Sequence, residues 1–165
     1  MSANSTYTLR AARPEDADFF WQLRQRALRP HVEKAWGAWD EAQQRQFFSR
    51  GFTPRDTSMI LVAGREVGRL DVVHSRWEFF FGLIELLPEV QGCGLGSEIV
   101  RDLQVEAGEK QLPIRLQVMK TNDRAQRLFL RLGFKATGET STHHLMLWEP
   151  SEGETEKLKI SPQES

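Results

Sequence analysis

Disulfide cross-links within the chain are excluded by composition, since only one of the 165 residues is a cysteine, Cys93. A lone thiol fits a reducing compartment, and a cytoplasmic protein is expected. Excess charge of either sign is lacking too. There are 22 Lys and Arg against 23 Asp and Glu, a formal net charge of -1. Without a general basic field, nucleic acid is not expected as the main partner. Long apolar runs are also missing. The longest, Phe79 to Leu87, is interrupted by Glu85, and Met1 to Thr6 has neither a basic start nor an apolar stretch. No signal peptide and no membrane span are expected. His143 and His144 are adjacent and would point to opposite faces of a strand, no other spacing suits zinc, and no metal site is expected.

A chain of this length can bury one hydrophobic core without cross-links. Residues 1–150 read as one domain, and 151–165 read as a polar, disordered tail with almost no apolar anchor. Thr6 to Ala11 alternates as a strand. Pro14, Glu15 and Asp16 suit a helix start, and Ala17, Phe20, Trp21, Ala27 and Leu28 keep helical spacing up to Pro30, which is expected to end the helix. His31 to Trp39 shows no period. Asp40 and Gln43 form a capping pattern before a second helix through Phe47 and Phe48.

Met59 to Val62 and Val67 to Val73 flank Gly64-Arg65-Glu66 as a hairpin. Phe79 to Leu87 reads as a nearly continuous buried strand stopped by Pro88, and Ile99, Val100, Leu103 and Ala107 mark a third helix. Ile114 to Val118 alternates. Ala125, Leu128, Phe129 and Leu132 then fall at helical spacing before Gly133, and strands are expected near 135–140 and 143–148. The expected class is α/β: a mixed sheet with helices on both faces.

Chemistry concentrates at Gln91-Gly92-Cys93-Gly94-Leu95-Gly96-Ser97, between the buried strand and the third helix. Missing β-carbons at Gly92, Gly94 and Gly96 let backbone N–H groups approach a ligand, and a helix N-terminus favours negative charge, which together suit a pyrophosphate. A tight turn that needs glycine only for its backbone is the plainer alternative. A P-loop is disfavoured because no Gly-Lys-Ser/Thr follows, and a dinucleotide fingerprint would need a third glycine where Ser97 stands.

Together with Asn122, Ala125 and Leu132-Gly133-Phe134, this loop resembles the two signatures of the GNAT superfamily of N-acetyltransferases. The resemblance spans about Thr6 to Trp148. It implies a mostly antiparallel sheet splayed between the fourth and fifth strands, with pantetheine in the split. It further implies acetyl-CoA as cosubstrate, held by backbone near Leu86 and Leu87, by Gln91 to Ser97 around the pyrophosphate, and by Asn122, Ala125 and Phe129 on the following helix. An ordinary helix cap explains Asn122 equally well.

The implied reaction is direct attack of an amine on the thioester, with a base and an acid moving protons. The family's usual acid is a tyrosine, and the matching position here is Phe129, while the only tyrosine is Tyr7. A thiol with a pKa near ~8.5 can leave unaided, at a cost below the ~10²–10⁴ typical of general acid help. The usual base positions fall on Phe80, Gly82 and Gln117, which leaves Glu85, Glu78, Asp71, His74 and Glu33, with Glu85 preferred. Pairing with an arginine from a neighbouring strand is the structural reading of Glu85. The acceptor, an amine of a small molecule or of a peptide, is expected near His31, Glu33, Trp36 and Trp39, of which Glu33 and Trp36 are the chosen contacts. A homodimer is an allowed assembly. Two other functions stay open: a non-catalytic acyl-CoA-binding or sensing protein, and an interaction module on the same fold.

Overall fold

The computed structural model describes residues 6–151. All of the tail expected to be disordered except Ser151 therefore lies outside the described residues. The elements are β1 (Thr8–Ala11), α1 (Ala17–Trp36), α2 (Glu41–Gly51), β2 (Thr57–Val62), β3 (Arg65–His74), β4 (Phe79–Leu86), α3 (Leu95–Glu109), β5 (Ile114–Met119), α4 (Asp123–Arg131), β6 (Lys135–Glu139) and β7 (His143–Trp148). The strands form one sheet in the order β1-β2-β3-β4-β5-β7-β6. Every neighbouring pair is antiparallel except β4–β5, which is parallel.

Strand alternation divides the core in two. On one face Ile60, Val72, Phe81, Leu116 and Val118 pack with Ile99, Val100, Leu103 and Ala107 of α3 and Phe129 of α4. On the other face Met59 and Leu87 pack against Phe20 and Leu23 of α1, with Phe48 of α2 at the edge. Helices thus cover both faces, as expected.

Three local expectations differ. Pro30 lies inside α1, which continues to Trp36. Pro30 is exposed, so water can satisfy the carbonyl that loses its partner, while Val32 is buried and holds the last turns against the sheet. Of the stretch without a period, His31 to Trp36 form the end of this helix, closed by Gly37 at φ 80° donating to the Glu33 carbonyl at 2.7 Å. The hairpin turn is Ala63–Gly64, with φ of 51° and 77°, rather than Gly64 to Glu66. β4 ends at Leu86, and its burial alternates, with Gly82 exposed beside an irregularity in the β3 pairing. The expected Asp40 cap is present: its Oδ1 accepts from the Gln43 N–H at 3.0 Å.

Candidate active site

β4 and β5 pair only at Phe79/Ile114, Phe80/Arg115 and Phe81/Leu116, and then part, while β5 stays paired with β7 through Met119. The Leu87 N–H donates to the Val67 carbonyl on β3 at 2.9 Å. Backbone direction alternates along a strand, so the polar groups of Leu86 and Ile84 face the gap. The Leu86 carbonyl accepts there from Gln91 Nε2 at 2.9 Å. The gap is therefore a sheet edge inside the molecule, able to bond an extended ligand as an added strand would.

Gly92 and Gly94 have φ of 78° and 87°, conformations that side chains strain to adopt. They turn the chain so that α3 begins at Leu95 with its first N–H groups at the gap, without intrahelical acceptors. A β-carbon on Gly92 would lie 3.1 Å from Arg124 Nη2, so the guanidinium closes over the loop. Gap and loop open into one cleft of about 720 Å³, bordered by Leu86, Gln91, Gly92, Gly94, Gly96, Ser97, Asn122, Ala125 and Phe129 among the expected cofactor residues. Leu87 and Leu95 are buried in the two cores, and Cys93 points away, its Sγ donating to the Val90 carbonyl at 2.9 Å. Asn122 caps α4, accepting from the Ala125 N–H at 3.1 Å. Phe129 stands edge-on to Phe81 and Phe134 at 5.7 and 5.4 Å and brings no hydroxyl.

Of the five expected base candidates, only Glu85 borders the cleft. Glu78 is held by Arg115 at 2.5 Å, Asp71 by Arg69 at 2.7 and 2.9 Å, and Glu33 by Arg29 at 2.6 Å, while His74 packs on Phe79. Glu85 is 4% exposed. Its Oε1 meets Arg24 Nη1 of α1 at 3.4 Å, and its Oε2 has no hydrogen-bond partner among the described residues. Burial pushes its pKa up to about 7, against the pull of Arg24 and Arg69. The arginine partner expected from a neighbouring strand comes instead from a helix. Arg69, opposite Glu85 in register, is turned to Asp71.

The FR47-like protein family matches residues 72–143. No curated protein matches in sequence. Among solved structures, the PaiA N-acetyltransferase of Thermoplasma acidophilum in complex with coenzyme A superposes with a TM-score of 0.69 at 12% identity, covering 87% of this chain and 98% of that one. The ribosomal-protein-S18-alanine N-acetyltransferase of Escherichia coli gives 0.65 at 18%, covering 96% and 98%. Arabidopsis thaliana Naa50 with a CoA-Ac-MVNAL bisubstrate analogue gives 0.61 at 14%, covering 87% and 99%. This chain has the GNAT superfamily fold.

Seen as a GNAT fold, the cleft has two ends. On the α1 and α2 side it is bordered by His31 and Trp36, but neither by Glu33 nor by Trp39. Trp39 lies 6.4 Å from Trp21 instead. Three arginines that the sequence patterns did not single out also border it. Arg124, Arg127 and Arg131 form one stripe of α4, with no ion-pair partner among the described residues. Their i, i+3, i+7 spacing was available as a signal. His143 reaches the cleft because it pairs with Met119, and its Nδ1 lies 2.7 Å from Thr142 Oγ1. Burial holds its pKa below the ordinary value. Among the described residues no cluster of side chains could hold a metal, and no helix is long and apolar enough to cross a membrane.

Proposed function

We propose that this protein is an N-acetyltransferase that transfers the acetyl group of acetyl-CoA to a primary amine by direct attack. The observation that supports this most strongly is the parted β4–β5 edge next to a helix start freed by two left-handed glycines. In this reading residues 1–150 act as one domain, working in the cytoplasm. Gln91 to Ser97 hold the pyrophosphate with Arg124 over it, and the Ile84 and Leu86 edge holds the pantetheine arm, beside Asn122, Ala125 and Phe129. The amine nitrogen bonds to the acetyl carbon as the carbon–sulfur bond breaks. Its proton passes to Glu85, and the sulfur leaves with the bonding pair as CoA thiolate. A base near pH 7 suits this role, since it accepts a proton without needing a strongly alkaline medium. In this reading Phe129 offers no proton where the family's tyrosine would stand, and the thiolate leaves without an acid.

The solved relatives that act on a ribosomal-protein alanine or carry a peptide analogue support an amine acceptor. Phe129 and the shielded Glu85 Oε2 favour a second reading, an acyl-CoA-binding protein without turnover. Two measurements separate them. Acetyl-CoA at about 100-fold over Kd should add ~2.7 kcal/mol, roughly a 5–11 °C rise in Tm, with dephospho-CoA and ADP less effective. Free-thiol release that depends on an added amine supports transfer, whereas binding with no amine-dependent thiol supports the second reading.

A further inference from the structure

The half of the cleft opposite the phosphate loop is nearly bare of negative charge. Among the described residues bordering the whole cleft, Glu85 is the only carboxylate. It is already claimed by Arg24. The other titratable groups on the α1 and α2 side are Arg24, His31 and His143, and burial lowers the pKa of both imidazoles. His143 belongs to this side because its register partner Met119 alternates with Val118, which is buried on the α3 side. A ligand bearing a second ammonium would therefore find a guanidinium and neutral groups there, and no anion to replace its lost water.

What this end does supply is apolar surface. Trp36, at the end of α1, is 54% exposed, and Phe47 of α2 is 50% exposed, although both border the cleft. Val32 and Met119 add further apolar lining. Neither aromatic is needed to fill a core, since neither belongs to the two packed clusters. Large aromatic faces standing open at a cleft mouth are characteristic of ligand sites.

We propose that the acceptor is a monoamine with an aromatic or similarly bulky apolar body. The body packs between Trp36 and Phe47, and the single amino group is directed toward Glu85. The inference rests on the acetyl-transfer reading for the identity of the reacting group. It excludes polyamines and lysine-rich peptide tails as preferred acceptors, because each carries further cations into a site with one shared carboxylate.

The test is isothermal titration of the full chain, with and without CoA, using 2-phenylethylamine, ethylamine and 4-(2-aminoethyl)benzylamine. The ring should tighten binding at least about tenfold over ethylamine, the gain expected for burying one face of a phenyl group. The second ammonium of the diamine should remove that gain. Trp36→Ala should reduce 2-phenylethylamine binding about tenfold and leave ethylamine unchanged. Phe47→Ala, at a separate exposed position, provides a second check. Equal binding of the three amines, or tighter binding of the diamine, overturns the inference. Failure of CoA itself to bind is read in its own titration and counts against the cofactor reading. The amine arms run without CoA still decide the acceptor.

Discussion

Glu85→Gln should make the protein more stable and less active, and the size of the gain follows from burial. Glu85 has its pKa pushed from an ordinary 4.5 up to about 7, chiefly because its charge is desolvated. The folded state therefore holds this proton more tightly than the unfolded chain does. Stability carried by the protonated form is complete below pH 4.5 and declines as pH rises to about 7. At ~1.4 kcal/mol per pH unit, that decline integrates to about 3 kcal/mol. Glutamine resembles the protonated acid in shape and cannot ionise, so it does not suffer this loss. In urea titrations the variant and the parent should match at pH 4.5 and diverge by about 3 kcal/mol at pH 8, or roughly 6–12 °C in Tm. Titrating groups that do not interact with Glu85 cancel in the difference between the two proteins. In the same preparation, amine-dependent thiol release should fall about 10²–10⁴-fold. In the parent, kcat should rise with pH through about 7 as the base becomes ionised. A variant less stable than the parent at pH 8, or one that keeps full activity, would refute the assignment of a costly, functional carboxylate.

Two further perturbations address the cofactor half. Arg124→Gln removes the guanidinium lying against Gly92. It should weaken CoA about tenfold by titration and flatten the salt dependence of binding, and unchanged affinity would remove Arg124 from the phosphate site. Cys93→Ala should leave kcat within about twofold, since the thiol faces Val90 and does not border the cleft. Mass-spectrometric capture of an acetylated Cys93 during turnover would instead indicate a covalent route.

Features governed by short-range geometry were legible in the amino-acid order. The turn before α3 needs left-handed backbone at two positions, and Gly92 and Gly94 stand there. α4 announces itself by apolar spacing, and the Asp40 cap by its partner three residues on. The GNAT-like signatures and the sheet they implied follow from such local constraints, as does the preference for Glu85, the one acid interrupting an apolar strand. Pro30 shows the limit, because whether a proline ends a helix depends on which face it occupies and what anchors the turn beyond it. Register and burial are set by residues far apart in sequence, and the tertiary structure alone decided them. They brought Arg24 from α1 to Glu85, carried His143 to the cleft through its pairing with Met119, left Glu33 outside it, and stripped Glu85 of water.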